Sequence, residues 1–373
     1  MEHVERCLFD LRRGLPIRLR DDTVDVLIWP VEHLDENALG RLRHVADDNP
    51  ALVVTGHRLA SVKAIASQAN ETSNARIGIT AADAADDVIR WACTPNVEID
   101  AGRIGSGPDD NIDTLALFLM RCALLIPAAV VATIGVDTRG ELDTDVDTRD
   151  LLSIEPATVH AYEAGRPEPL KRVSESEVPL ADASSTRFVV FREPDGMREH
   201  IAILIGDSQH WPTPVPVRLH SACLTGDLFG SLRCDCGEQL RGSVAAIGKR
   251  GGGVLLYLAQ EGRGIGLANK MRAYHLQDDG LDTIDADQVL GFSEDERRYT
   301  IASEMLAALD IHTIDLLTNN PAKLDAMRQN GIAVAARQAI YGDLTPQNRG
   351  YLNAKATRAG HWLDNLLDHS AER

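Results

Sequence analysis

Apolar runs and stretches of helical period alternate along the chain. The first half predicts a helix at 4–13, stopped by Gly14 and Pro16, then a short strand at 17–20 and an apolar run at 24–29. A helix at 36–46, a buried strand at 51–55 and a helix at 59–68 follow, then a helix at 81–92 with Thr80 as its cap. A helix at 114–125 and a buried strand at 128–134 complete this half. Residues 155–184, rich in Glu, Pro and Ser, read as a connector. Beyond them, strands at 187–192 and 201–205 form a hairpin through Pro194-Asp195-Gly196. Strands at 215–219, 253–259 and 314–317 then alternate with helices at 238–249, at 267–277 and from Pro321. The expected fold class is α/β in two domains: an α+β, scaffold-like domain at 1–154, a linker at 155–184, and an α/β domain at 185–373.

Length agrees with that division, since 373 residues suit two or three domains of ~150 residues each. Aromatic residues make up only 4% of the chain, so the cores should rest on Leu, Val, Ile and Ala. The net charge of −18 argues against nonspecific nucleic-acid or anionic-membrane partners. An anionic small substrate would need a local cluster of Arg and Lys. The charged start carries no signal-peptide core, and Pro127 divides the most apolar run, 115–134, into pieces shorter than a membrane span. A cytoplasmic protein is expected, in which thiols bind metal or do chemistry more often than they form disulfides.

Candidate chemistry is concentrated after residue 214. Cys223, Cys234 and Cys236 fall in one turn-rich segment. Three thiolates and an open position make a catalytic zinc site; buried small residues, or a structural site completed by a distant His, fit the same spacing. Cys7, Cys93 and Cys122 read as core thiols. The strand at 215–219 delivers Arg218, His220 and Ser221 to the loop, with Gln239 on the next helix. His220 suits a fourth zinc ligand or a substrate contact equally. Gln260 to Gly266 has three alternating glycines before a helix, either a tight turn or a phosphate loop, and it is not the dinucleotide pattern. Thr318-Asn319-Asn320-Pro321, with Lys323 following, reads as an anion site or as simple capping. The alternating charges at 291–299 suggest a solvated helix start, and the acidic run 137–150 a solvated linker.

Taken together, residues 214–363 resemble GTP cyclohydrolase II. The resemblance is carried by Leu224-Thr225-Gly226-Asp227, by Gly230-Ser231-Leu232-Arg233-Cys234-Asp235-Cys236-Gly237 and by Gln260-Glu261-Gly262-Arg263-Gly264-Ile265-Gly266-Leu267. Asn269-Lys270-Met271-Arg272-Ala273-Tyr274, Leu290-Gly291-Phe292, Asp295-Glu296-Arg297 and Leu317-Thr318-Asn319-Asn320-Pro321 continue it in order. Tyr351-Leu352, Lys355 and Gly360-His361 match the C-terminal pattern. The resemblance implies hydrolysis of GTP to formate, pyrophosphate and 2,5-diamino-6-(5-phosphoribosylamino)pyrimidin-4(3H)-one in a homodimer, with zinc on Cys223, Cys234 and Cys236 and magnesium on the phosphates. It marks Arg297 as nucleophile at the α-phosphate, with electrostatic stabilisation the alternative because guanidinium stays protonated, Asp295 as proton acceptor and Tyr274 beside the opening ring. Arg218, Leu219, His220, Ser221, Gln239, Glu261, Gly262, Arg263, Thr283, Thr318 and Lys323 match positions that hold GTP. Departures from the pattern include Ala222 in place of a Glu beside the nucleotide. A GTP-binding regulatory homologue with little turnover is the competing expectation.

The first half resembles 3,4-dihydroxy-2-butanone 4-phosphate synthase in Glu5-Arg6, Asp10-Leu11-Arg12-Arg13-Gly14, Gly78-Ile79-Thr80-Ala81-Ala82-Asp83 and the run from Pro127 to Val130. The acidic loop of that family is reduced to Asp21-Asp22-Thr23-Val24-Asp25, its Gly-His-Thr-Glu to Gly107-Pro108-Asp109-Asp110, and its late Glu to Thr133. A scaffold without synthase activity is expected.

Overall fold

A computed structural model describes residues 2–62, 73–105, 110–135, 151–165, 169–358 and 360–363. The acidic run 137–150, most of Gly107-Pro108-Asp109-Asp110 and the second part of the helix expected at 59–68 lie outside them. Two compact units divide the chain: Met1–Pro167 with Ala268–Asp295, and Glu168–Leu267 with Glu296–Arg373.

In the first unit the strands are β1 (Ile17–Arg20), β2 (Asp25–Pro30), β3 (Ala51–Val54), β4 (Ala75–Gly78), β5 (Ile104–Gly105), β6 (Ala128–Thr133) and β7 (Ser153–Ile154). They lie in the order β5-β4-β3-β6-β2-β1-β7, antiparallel throughout except for the β1–β7 pair. Helices α1 (Glu2–Arg12), α2 (Glu36–Val45), α3 (Gly56–Ser61), α4 (Ala85–Cys93), α5 (Asp110–Cys122) and α6 (Pro156–Ala164) cover the sheet. Alternation along β2 sends Leu27 and Trp29 to a core with Leu39, Leu42 and Trp91, and Val26 and Ile28 to a second core with Leu8, Leu11 and Leu115. Both faces are covered, which is why β2, β3 and β6 read as continuous apolar runs.

Two local expectations change. Thr80 does not cap α4: its N–H and hydroxyl both bond the Asp83 carboxylate, at 2.6 and 2.9 Å. That local turn competes with the helix and delays its start to Ala85. The connector expected at 155–184 instead carries α6, opened by Pro156 and burying Val159 and Tyr162, and then strand β8 (Lys171–Glu177). Every residue of β8 is exposed, so this polar edge strand has the composition of a loop.

The second unit continues with β9 (Thr186–Arg192), β10 (Glu199–Ile205), β11 (Val215–Ser221), β12 (Gly253–Leu258), β13 (Thr313–Leu317) and β14 (Ala333–Gln338), in the order β14-β13-β11-β12-β10-β9-β8. The β14-β13-β11-β12 block is parallel; β10, β9 and β8 are antiparallel. After β11 come α7 (Leu224–Asp227) and α8 (Cys236–Lys249). Next are α9 (Leu267–Asp278) and α10 (Thr283–Val289), then α11 (Thr300–Ala308), α12 (Pro321–Gln329) and α13 (Arg349–Thr357). Helix α8 packs Val244 and Ile247 on one face of the sheet, whereas α11 and α12 pack Met305, Leu306, Leu324 and Met327 on the other. Neighbouring strands β11 and β13 therefore send their chains to opposite faces, so the strand order switches between them. The architecture is mixed α/β with two sheets, as the alternation predicts. The segment Ala268–Asp295, expected in the C-terminal domain, clusters with the first unit. Among the described residues no helix is long and apolar enough to cross a membrane.

Candidate functional site

Three cysteines meet at the carboxyl end of β11. Cys223 lies between β11 and α7, Cys234 precedes α8, and Cys236 is the first residue of α8. Their Sγ atoms all lie within 4.8 Å of one another, with Cys223 and Cys234 3.7 Å apart and none of the three in a disulfide. Two glycines make the crowding possible. A Cβ on Gly226 would stand 2.7 Å from Cys234 Sγ, and one on Gly237 would stand 2.3 Å from the Gly226 carbonyl oxygen. Neighbouring thiols, with burial after them, raise the pKa of Cys236 well above its usual value, and Cys223 chiefly raises that of Cys234. Three converging soft donors in so small a cradle fit a thiophilic dication with a position left open.

His220 stands outside this group. Its Nε2 lies 3.1 Å from both oxygens of Asp227, and its ring stacks on Tyr257 at 5.6 Å. Burial lowers its pKa, against the opposing pull of Asp227. Asp227 also accepts the Cys223 N–H and the Tyr257 hydroxyl, each at 3.0 Å. It is thus the anchor of the cysteine loop, a role that its place in the Leu-Thr-Gly-Asp motif did not reveal.

Arg218, only 6% exposed, donates to the Leu317 carbonyl at 2.9 Å and to Gln239 Oε1 at 2.6 Å. Gln239 passes the interaction on to Asp235 at 2.5 Å, and Lys355 Nζ lies 3.8 Å from the other Asp235 oxygen. Burial lowers the Arg218 pKa to about 10. Arg218 Nε, Ser221 Oγ and Gln260 Oε1 are buried with no hydrogen-bond partner among the described residues. Arg218 lies in mid-β11, Ser221 at its end and Gln260 just past β12, so these three atoms gather near the carboxyl ends of two neighbouring parallel strands.

Cations gather beside them. Lys323 donates to the Leu219 carbonyl at 2.8 Å and sits 5.9 Å from the centre of the Tyr299 ring; the Arg297 guanidinium lies 5.4 Å from the same ring. Two of the three cations expected to form a local basic cluster, Arg297 and Lys323, thus share the Tyr299 ring. Thr318 is buried and its hydroxyl accepts the Asn320 N–H at 3.0 Å, while Asn320 itself caps α12. The glycine-rich loop turns through positive φ at Gly262, Arg263, Gly264 and Gly266. A Cβ on Gly264 would lie 2.7 Å from the Glu296 carbonyl carbon, and the Glu296 N–H donates to the Arg263 carbonyl at 3.0 Å. Glu261 accepts the Leu224 N–H at 2.6 Å. The glycines therefore serve close backbone approach to the Arg297 segment, and Glu261 ties the loop to α7.

Tyr274, Thr283 and Asp295 belong to the first unit. Lys270 Nζ lies 5.5 Å from the centre of the Tyr274 ring, Thr283 opens α10 behind its cap Asp282, and Asp295 is exposed. The solvated helix start expected at 291–299 is instead a loop with Gly291 and Phe292 buried; α11 begins at Thr300. In the acidic loop of the first half, Asp25 is consumed by Arg18, at 2.6 and 2.8 Å.

The family model for GTP cyclohydrolase II matches residues 171–339. A GTP cyclohydrolase-2 from Azospirillum brasilense is 40% identical over 364 residues, spanning 97% of this chain and 94% of its own. A GTP cyclohydrolase-2 from Xylella fastidiosa is 50% identical over 257 residues, 69% of this chain and 63% of its own. Among solved structures, a two-domain 3,4-dihydroxy-2-butanone 4-phosphate synthase from A. baumannii covers 91% of this chain and 99% of its own at 17% identity, with a TM-score of 0.34 that carries no argument about fold.

Proposed function

The chain belongs to the GTP cyclohydrolase II family and is a GTP cyclohydrolase, and from that premise we propose that it opens the imidazole ring of GTP at a zinc centre as the first step of riboflavin biosynthesis. Formate, pyrophosphate and the diaminopyrimidine are the products of this reading. The observation that carries it is the triad of thiols beside the orphaned polar atoms of Arg218, Ser221 and Gln260. Cys223, Cys234 and Cys236 would hold the zinc, which when bound would supply Lewis acidity near neutral pH.

The remaining work falls to side chains. Asp227 fixes the Cys223 backbone and holds His220 through the same carboxylate. Arg218 to Ser221, Gln239, Glu261 to Arg263, Thr283 and Thr318 bind GTP, while Arg263, Arg297 and Lys323, with magnesium, offset the charge of the departing pyrophosphate. Asp295 accepts a proton and Tyr274 lies beside the opening ring. For Arg297 we favour electrostatic stabilisation over covalent attack, because guanidinium keeps its proton and Arg297 lies over the Tyr299 ring as a cation does. The first half carries no synthase activity in this reading. The protein acts as a cytoplasmic homodimer without nucleic-acid or membrane partners, and exposed Leu228, Phe229 and Leu232 offer apolar surface for self-association.

Zinc-loaded protein given GTP and magnesium should release formate and pyrophosphate in equal amounts. Measurable GTP binding with neither product would sink the reading.

A further inference from the structure

The segment Ala268–Asp295 carries three of the proposed site residues, yet it is built into the first unit. Polar contacts pin it near both ends. At the start of α9, Asn269 is fully buried and donates to the Leu124 carbonyl at 3.0 Å. Leu124 presents that carbonyl from φ +60°, a conformation that costs a non-glycine residue energy. One turn on, Arg272 donates to Asn269 Oδ1 and to Glu32 Oε2, each at 2.6 Å. The other Glu32 oxygen accepts the Ile126 N–H at 2.5 Å, so one carboxylate joins α9 to the turn before β6.

After α10, the Thr55 hydroxyl donates to the Gly291 carbonyl at 2.8 Å in a buried contact. Gly291 has φ +85°, and a Cβ there would stand 3.1 Å from Thr55 Oγ1 and 3.2 Å from Pro127. Between these anchors Ile284, Val289 and Leu290 are buried, as is Phe292 just past the second, and α10 packs on α3. Apolar burial alone would let the segment slide. Directional bonds at each end do not, because a slip would leave buried donors and carbonyls unpaired.

We propose that the first half of the chain is an intramolecular clamp, in which Glu32, Thr55 and Leu124 are positioning residues that fix α9 and α10 and so set Tyr274, Thr283 and Asp295 for turnover. The positioning role rests on the site assignment proposed above; the clamp itself rests on the contacts. A half that lacks the synthase groups would thus have a task in GTP chemistry.

The test uses the full-length, zinc-loaded protein with Glu32→Ala, Thr55→Val and Glu32→Gln, reading hydrogen exchange, zinc content, and kcat and KM for GTP. Glu32→Ala and Thr55→Val should speed exchange of amides within 268–295 and leave zinc content unchanged. They should lower kcat/KM on the order of 10- to 100-fold, the cost of misplacing reacting groups by about 1 Å. Glu32→Gln keeps an acceptor for Arg272 and should recover most of that loss. Faster exchange with kcat/KM unchanged would overturn the positioning role, and unchanged exchange would overturn the clamp. If Glu32→Ala does not fold, Thr55→Val and Glu32→Gln decide by the same two readouts. Wild-type protein that protects these amides but releases no formate supports the clamp and overturns the site assignment.

Discussion

Each unit buries a guanidinium near a carboxylate, and the two are finished differently. In the first unit Arg18 grips Asp25 through two bonds at 2.6 and 2.8 Å, with both residues 4% exposed. In the second unit Arg218 reaches a carbonyl and the amide of Gln239, and only through Gln239 the carboxylate of Asp235. Among the described residues Arg218 Nε has no hydrogen-bond partner, and Asp235 Oδ1 has only the Lys355 ammonium at 3.8 Å. A buried charge is costly unless it is paired and bonded. The closed fork has met that cost internally and is a structural pair. The relayed one keeps valence in reserve beside three thiols, as a binding site does.

The comparison can be broken most severely from the second unit. Cys234→Ser should abolish zinc retention and bring formate release to background, while hydrogen exchange in the first unit stays as in the wild type. Undiminished formate would remove zinc from the mechanism. Next in size, Asp25→Asn leaves the Arg18 charge buried without its partner and should cost about 3–5 kcal/mol in urea unfolding, with zinc content intact. A loss below ~1 kcal/mol would show that the closed fork is not what holds that part of the sheet.

A smaller effect is tied to pH. The folded-state pKa of His220 lies below its usual ~6.5, so native and unfolded chains are both neutral there above that pH and its contribution is complete. As pH falls below ~6.5 the unfolded chain takes up a proton that the native one refuses, and stability should drop by up to about 1.4 kcal/mol per pH unit until the folded pKa is reached. Urea melts at several pH values should show this slope in the wild type and lose it in His220→Asn; an unchanged slope would assign it to another group. Smallest of all, Ala222→Glu restores the carboxylate of the family pattern and should lower KM for GTP by about tenfold or less, roughly 1 kcal/mol. A raised KM would mean that the pocket has adapted to alanine.

The two units also differ in how far their residues could be read. The thiols, the glycine-rich loop and Thr318 to Lys323 lie in short contiguous motifs, because loops at the ends of parallel strands must supply both backbone geometry and chemistry within a few residues. Asp227 and Tyr257 were missed: one lies in a recognised motif without a visible task, the other in a strand that reads as core. The register of β11 beside β12 sets His220 next to Tyr257, and both reach the Asp227 carboxylate. Residues 155–184 read as a connector because β8 is all exposed and α6 is short, so neither has the apolar signature of a packed element.

By itself the sequence determined the alternation of elements, the three thiols and the resemblance to GTP cyclohydrolase II. These are properties of composition and local spacing, which survive without folding. Tertiary structure alone decided that Asp227 anchors the cysteine loop, that Arg218 and Ser221 keep orphaned atoms, and that the segment from Ala268 to Asp295 is held by Glu32, Thr55 and Leu124. Those facts join residues up to 240 positions apart in the chain, and no local pattern encodes which distant donor a buried carbonyl will meet.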